Sequence, residues 1–152
     1  MNLILWRHAE AEDSAPSDLA RQLTPHGRKQ AQIVARWLKP RLDADAVILV
    51  SPAARTVQTV EALTDQYRVV REIAPGASAA DVLDAAGWPE GIAPTVVVVG
   101  HQPTLGRVAA FLLSGDEANW MLKKGGLWWL ANRARNGDEQ VVLRAVTSPD
   151  LA

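Results

Sequence analysis

The chain has 152 residues, 48% of them hydrophobic, which suits one compact domain spanning residues 1–152 with its own core. Sixteen Lys and Arg face 17 Asp and Glu, so a nucleic-acid binder relying on phosphate neutralisation is not expected. There is no cysteine, which removes disulfides, thiol nucleophiles and Cys-ligated metals. No charged leader precedes the apolar start and no run nears about 18 apolar residues, so the expectation is no signal peptide, no membrane association and a cytoplasmic location.

Leu3-Ile4-Leu5-Trp6 reads as a first, buried strand that ends on Arg7-His8 and then turns acidic at Glu10, Glu12 and Asp13. Thr24 and Pro25 are placed as N-cap and first residue of a helix. Ala31, Val34, Ala35 and Leu38 continue it at helical spacing until Pro40. Ala46 to Val50 is a second strand. Ser51 is the candidate cap of a second helix carrying Val57, Val60 and Leu63. A short strand is expected near Arg68 to Arg71, then a helix around Ala79 to Ala86.

Val96-Val97-Val98-Val99 has no alternation, as expected of a central parallel strand buried on both faces. A helix from Leu105 to Leu113 follows. Leu127 to Ala131 and Val141 to Val146 read as two further strands around an Asn136-Gly137 turn. Alternating strands and helices predict an α/β fold: a three-layer α/β/α sandwich with a mostly parallel central sheet.

In open α/β sheets the ligand site lies at the carboxyl ends of the strands. There the sequence places Arg7-His8 after the first strand. Ser51-Pro52, with Arg55 one turn on, follows the second, and Gly100-His101-Gln102-Pro103 follows the valine strand. Each residue alone has an ordinary explanation, as a surface cation or a hydrogen-bonded structural histidine. Together they would crowd positive charge at one sheet edge, which an anion offsets. Two guanidinium forks and a histidine donor suit the three oxygens of a phosphoryl group.

Arg7-His8-Ala9-Glu10, Arg21-Gln22-Leu23-Thr24-Pro25-His26-Gly27, Ser51-Pro52-Ala53-Ala54-Arg55-Thr56-Val57-Gln58-Thr59 and Val99-Gly100-His101-Gln102-Pro103 together resemble the histidine phosphatase superfamily. The resemblance is closest to its SixA-type phosphohistidine phosphatase branch, and it runs from Asn2 to about Val146. It implies a phosphoglycerate mutase-like fold. It also implies that His8 is the nucleophile that becomes phosphorylated, and that Arg7, Arg55 and His101 hold the phosphate. Arg21 stands where this branch also carries an arginine, as either a substrate contact or a solvated loop cation. Lys123-Lys124-Gly125-Gly126 resembles a segment of the branch too, and its own residues suggest a surface turn.

The superfamily usually has Gly where this chain has Ala9. A Cβ there would restrict backbone approach or forbid a left-handed conformation. The expected chemistry is attack by a neutral His8 on phosphorus, then hydrolysis of the phosphohistidine by water. The arginines would lower the His8 pKa, and a backbone carbonyl would fix its tautomer. Alkoxide departure normally needs a general acid. Glu72 is the one carboxylate positioned for it, with a solvated charge as the alternative. Imidazole leaves far more readily, with a pKa of about 6.5. The short chain therefore favours a phosphohistidine-bearing protein, either a phosphotransfer domain or a phosphocarrier, over a small phosphorylated substrate.

Two other readings stay open: a small-molecule phosphomonoester phosphatase, and a non-catalytic phospho-ligand module, against which the intact His8 argues. No metal or cofactor is expected, since three scattered histidines with no Asp or Glu at metal spacing give no ligand set. No Gly-x-Gly-x-x-Gly follows a strand, which excludes a dinucleotide site. His26 is expected to be exposed and incidental. Trp128 and Trp129 must face opposite sides of the sheet, one of them into the core.

Overall fold

The computed structural model describes residues Met1–Ala152. Its strands are β1 (Asn2–Arg7), β2 (Val47–Val50), β3 (Arg68–Val69), β4 (Thr95–Gly100), β5 (Leu127–Arg135) and β6 (Asp138–Thr147). They form one sheet in the order β3-β2-β4-β1-β5-β6. Pairings from β3 through β1 are parallel, while β1–β5 and β5–β6 are antiparallel. The helices are α1 (Pro25–Leu38), α2 (Ala54–Glu61), α3 (Ala79–Ala86) and α4 (Thr104–Ser114).

The sheet separates two apolar layers. Leu3, Leu5, Val96 and Val98 pack with Val82 and Ala86 of α3 and Leu105, Val108 and Ala109 of α4. Ile4, Trp6, Val97 and Val99 turn the other way, onto Val34, Ala35 and Leu38 of α1 and Val60 of α2. Successive residues of β1 and β4 thus feed opposite layers, which is why neither strand alternates apolar with polar. The three-layer α/β/α sandwich with a mostly parallel sheet is the observed architecture.

Local signals mostly act where the sequence places them. Thr24 caps α1, its hydroxyl accepting the Gly27 N–H at 2.9 Å, and Pro25 is the first helical residue. Pro40 falls in a short 3-10 turn, Lys39–Arg41, that ends the helix. Asn136 and Gly137 have φ of 54° and 82°, as a two-residue turn between right-twisted strands requires.

The differences have physical reasons. Ser51 does not cap α2. The cap position is Ala53, without a side-chain bond, because the Ser51 hydroxyl is engaged with a histidine. β5 and β6 run well beyond the predicted pair, since their far ends bond only to each other in an exposed ribbon that needs no apolar pattern. Trp128 and Trp129 do oppose each other. Trp129 joins the α1–α2 layer, and Trp128 packs against the α3–α4 layer beside Trp120, ring centroids 6.0 Å apart. No helix is long and apolar enough to cross a membrane.

Candidate active site

Strand register assembles the site. β1 and β4 are parallel neighbours with Arg7 opposite Gly100, so the next residues, His8 and His101, emerge side by side. Their ring centroids are 5.3 Å apart. β2 flanks β4 with Val50 opposite Val99, which brings Ser51 and the start of α2 to the same edge. Arg55, in the first turn of α2, is 4% exposed and His101 likewise 4%.

Each ring is oriented by a specific partner. His8 Nδ1 lies 2.7 Å from the carbonyl oxygen of Ala9. A carbonyl only accepts, so Nδ1 carries the proton and Nε2 keeps its lone pair. His101 Nε2 is 2.7 Å from Ser51 Oγ, and its Nδ1 is 3.4 Å from Arg55 Nη2. Guanidinium only donates, which makes His101 Nδ1 the acceptor and Nε2–H the donor to Ser51.

Burial pushes the His8 pKa down to about 4, assisted by the positive charges of Arg55, Arg7 and Arg21 and opposed by the Ala9 hydrogen bond. Burial likewise lowers His101 to about 3, with His8 and Arg55 adding to the shift and Asp18 opposing it. Both rings are therefore neutral at pH 7. Arg7 is also shifted down by burial. The Nε–H groups of Arg7 and Arg55 are buried without any acceptor. Orphaned buried donors are rare and costly. An oxyanion reaching these two guanidinium groups and the neutral imidazoles would supply the acceptors that are missing.

Asp18, which the sequence reading passed over, organises Arg55. Its carboxylate meets Arg55 Nη2 at 3.1 Å and Arg21 Nη1 at 3.2 Å, and its carbonyl oxygen accepts from Arg55 Nη1 at 2.8 Å. These two arginines hold the Asp18 carboxyl below the usual range. Arg21 thus stands at the rim of the site, tied also to the Glu12 carbonyl at 2.6 Å. The i,i+3 spacing of Asp18 and Arg21 was the available signal, and it says nothing about Arg55.

The segment read as a surface turn is in part a buried clamp. Gly126 O accepts from Arg7 N–H at 2.9 Å, and Gly125 N–H donates to His8 O at 3.0 Å. Trp6 Nε1 donates to Gly125 O at 2.9 Å. Gly125 has φ of +72° and a Cβ on it would lie 3.1 Å from Pro149 Cγ, so glycine is needed here. Lys123 and Lys124 are the exposed half. Ala9, standing where glycine is usual, does not have a positive φ. It is fully buried, and its N–H donates to Thr59 Oγ1 at 3.1 Å. Its methyl group therefore fits without backbone strain.

Glu72 is not brought to this constellation. It is exposed in a 3-10 turn, Arg71–Ile73, beyond the edge strand β3. It lines a separate groove with Leu49, Arg68, Val70, Asp81 and Asp84. His26 is exposed, and lines a groove that reaches Arg7. No three potential metal-ligating side chains of His, Asp or Glu come together anywhere in the molecule.

Residues 3–88 match the model of the histidine phosphatase superfamily, branch 1. The chain is 35% identical over 127 residues to the phosphohistidine phosphatase SixA homolog of Haemophilus influenzae, covering 74% of this chain and 77% of that protein. It is 32% identical over 124 residues to phosphohistidine phosphatase SixA of Escherichia coli, covering 76% of each. The solved structure of the protein histidine phosphatase SixA complexed with tungstate aligns at a TM-score of 0.81 and 25% identity, covering 99% of this chain and 98% of that one.

Proposed function

The chain belongs to the histidine phosphatase superfamily, and on that premise we propose that it is a metal-independent hydrolase of phosphohistidine on a protein, acting through a covalent phosphohistidine on His8. The observation that carries this is the pairing of a neutral, tautomer-fixed His8 with the unpartnered Nε donors of Arg7 and Arg55. His8 Nε2 attacks phosphorus, the phosphorus–nitrogen bond of the substrate breaks, and the departing imidazole takes a proton from solvent. Water then attacks the phosphorus on His8, releasing inorganic phosphate and restoring the neutral ring. Arg7, Arg55 and His101 bind the equatorial oxygens. Because donors fixed in a water-poor site need no reorganisation, they stabilise the charge that shifts onto those oxygens. His101 can donate from Nδ1 once the bound dianion raises its proton affinity.

A leaving imidazole needs no dedicated acid, which agrees with the ion pairing of Asp18, the carboxylate that meets Arg55, to two arginines. The rival, a small-molecule phosphomonoesterase with Glu72 as acid, requires a residue that sits in a different groove.

The test is phosphate release from a phosphohistidine-bearing protein in the presence of EDTA. Wild type is expected to turn over and to yield an acid-labile, base-stable phosphoenzyme when quenched. His8→Ala is expected to do neither, and Glu72→Gln to match wild type. Turnover by His8→Ala would end the covalent mechanism. Loss of alkyl phosphate hydrolysis in Glu72→Gln would instead favour the phosphomonoesterase.

A further inference from the structure

We propose that the groove beside Arg7 is the docking surface for an acidic face of the protein that carries the phosphohistidine. This rests on the phosphohistidine reading above and adds where that protein binds and by what chemistry. The groove encloses about 640 Å³, several times what one phosphoryl group fills. One wall is a stripe of α1 formed by the exposed His26 and Lys29 and the half-buried Gln30 and Ile33, and the other is formed by Met121, Lys123, Lys124, Pro149 and Asp150. Arg7 joins the two regions. Its Nη1 donates to the Leu122 carbonyl at 2.8 Å and lies 3.6 Å from Met121 Sδ, while its backbone leads directly into His8.

The charge of this groove is unlike that of the chain. The whole sequence carries a net −1, yet four cations, Arg7, Lys29, Lys123 and Lys124, line the groove against one carboxylate, Asp150. Lys123 reaches Asp150 at 3.4 Å with both side chains well exposed, a contact that neutralises little. Neither Lys29 nor Lys124 takes part in any ion pair of the molecule. Like charges gathered without internal partners are relieved by carboxylates brought by another molecule, and they speed its encounter.

The apolar surface in the same groove points to a protein rather than a small phosphate. Ile33, Pro149 and Met121 interleave the lysines, and Met121 is 67% exposed. A small anion would leave those atoms in water. A protein surface with carboxylates around apolar side chains covers both, and a flexible thioether adapts to it. The concave shape between α1 and the 121–124 segment also suits an inserted ridge better than a flat lipid surface.

The experiment compares kcat/KM for an acidic histidine-phosphotransfer domain, phosphorylated on its histidine, with that for phosphoimidazole. The double variant Lys29→Glu, Lys124→Glu is expected to lower the protein-to-phosphoimidazole ratio at least about ten-fold, mainly through KM. With wild type, the ratio should fall between about 50 and about 200 mM salt as the charges are screened, and the variant should show a shallower fall. Lys29→Gln, Lys124→Gln, which introduces no new charge, should give a smaller change in the same direction. An unchanged ratio in an active variant, or equal loss on both substrates, would overturn the docking surface alone. Hydrolysis of neither substrate by wild type would overturn the phosphohistidine reading and this surface with it.

Discussion

At the scale of single residues, the site is defined by what each polar atom can and cannot do. A carbonyl beside His8 Nδ1 leaves the Nε2 lone pair free, and a guanidinium beside His101 Nδ1 sends that ring's proton to Ser51. Asp18 has a mixed effect. Its carboxylate fixes Arg55 in place, yet it brings negative charge to the guanidinium that the proposed mechanism assigns to phosphate. Asp18→Asn keeps a side-chain acceptor and the backbone contact while removing the charge. With screening typical of a surface-accessible carboxylate, about 1 kcal/mol of repulsion disappears, or roughly five-fold in affinity. Inorganic phosphate should therefore inhibit Asp18→Asn at several-fold lower concentration than wild type, as measured by its inhibition constant. Weaker inhibition would show that orienting Arg55 outweighs the repulsion.

At the scale of elements, the strand ends and one turn hold the candidate site. β4 lies between β1 and β2, so three consecutive parallel neighbours deliver His8, His101 and Ser51 within reach of one another. The segment 123–126 then closes over β1, bonding both sides of the Arg7–His8 peptide. Gly125→Ala tests that clamp. A Cβ at φ +72° costs about 1–2 kcal/mol, and crowding against Pro149 moves the turn that fixes the His8 backbone. We expect a lower melting temperature together with a reduced kcat at temperatures where the variant is fully folded. Lowered stability with wild-type kcat would reduce the turn to a structural role.

At the scale of the whole molecule, burying two histidines in neutral form makes stability depend on pH. The folded values of about 4 and about 3 lie below the ordinary value near 6.5. Between those limits the unfolded chain binds protons that the folded chain refuses. The contribution is complete above about pH 6.5 and is lost as pH falls through about 4 and about 3. The urea midpoint should accordingly drop between about pH 7 and about pH 5, and the drop should be smaller in His101→Gln, whose side chain does not titrate. Equal slopes in the two proteins would mean that His101 does not carry the pH dependence.

The sequence by itself determined the elements and the identity of the chemical groups. Four valines without alternation mark a strand buried on both faces. Thr24-Pro25 marks a helix start, and an Arg-His pair after a strand marks the sheet edge where ligands bind. Those signals are local, or follow from the rule that open parallel sheets bind at their carboxyl ends, so the convergence of Arg7, His8, Arg55 and His101 on one sheet edge was legible in the sequence. The functions of Asp18, Ser51 and Gly125 were not, because each depends on a partner distant in the chain. Asp18 meets a residue 37 positions away, Ser51 one 50 away, and the Gly125 carbonyl one 119 away. A hydroxyl after a strand reads equally as a helix cap or as a histidine's partner, and only the packing of β2 against β4 chooses. Glu72 shows the reverse case. Its position after a strand resembled that of the others, but β3 is the edge strand, and sheet order rather than sequence order decides which strand ends share a site.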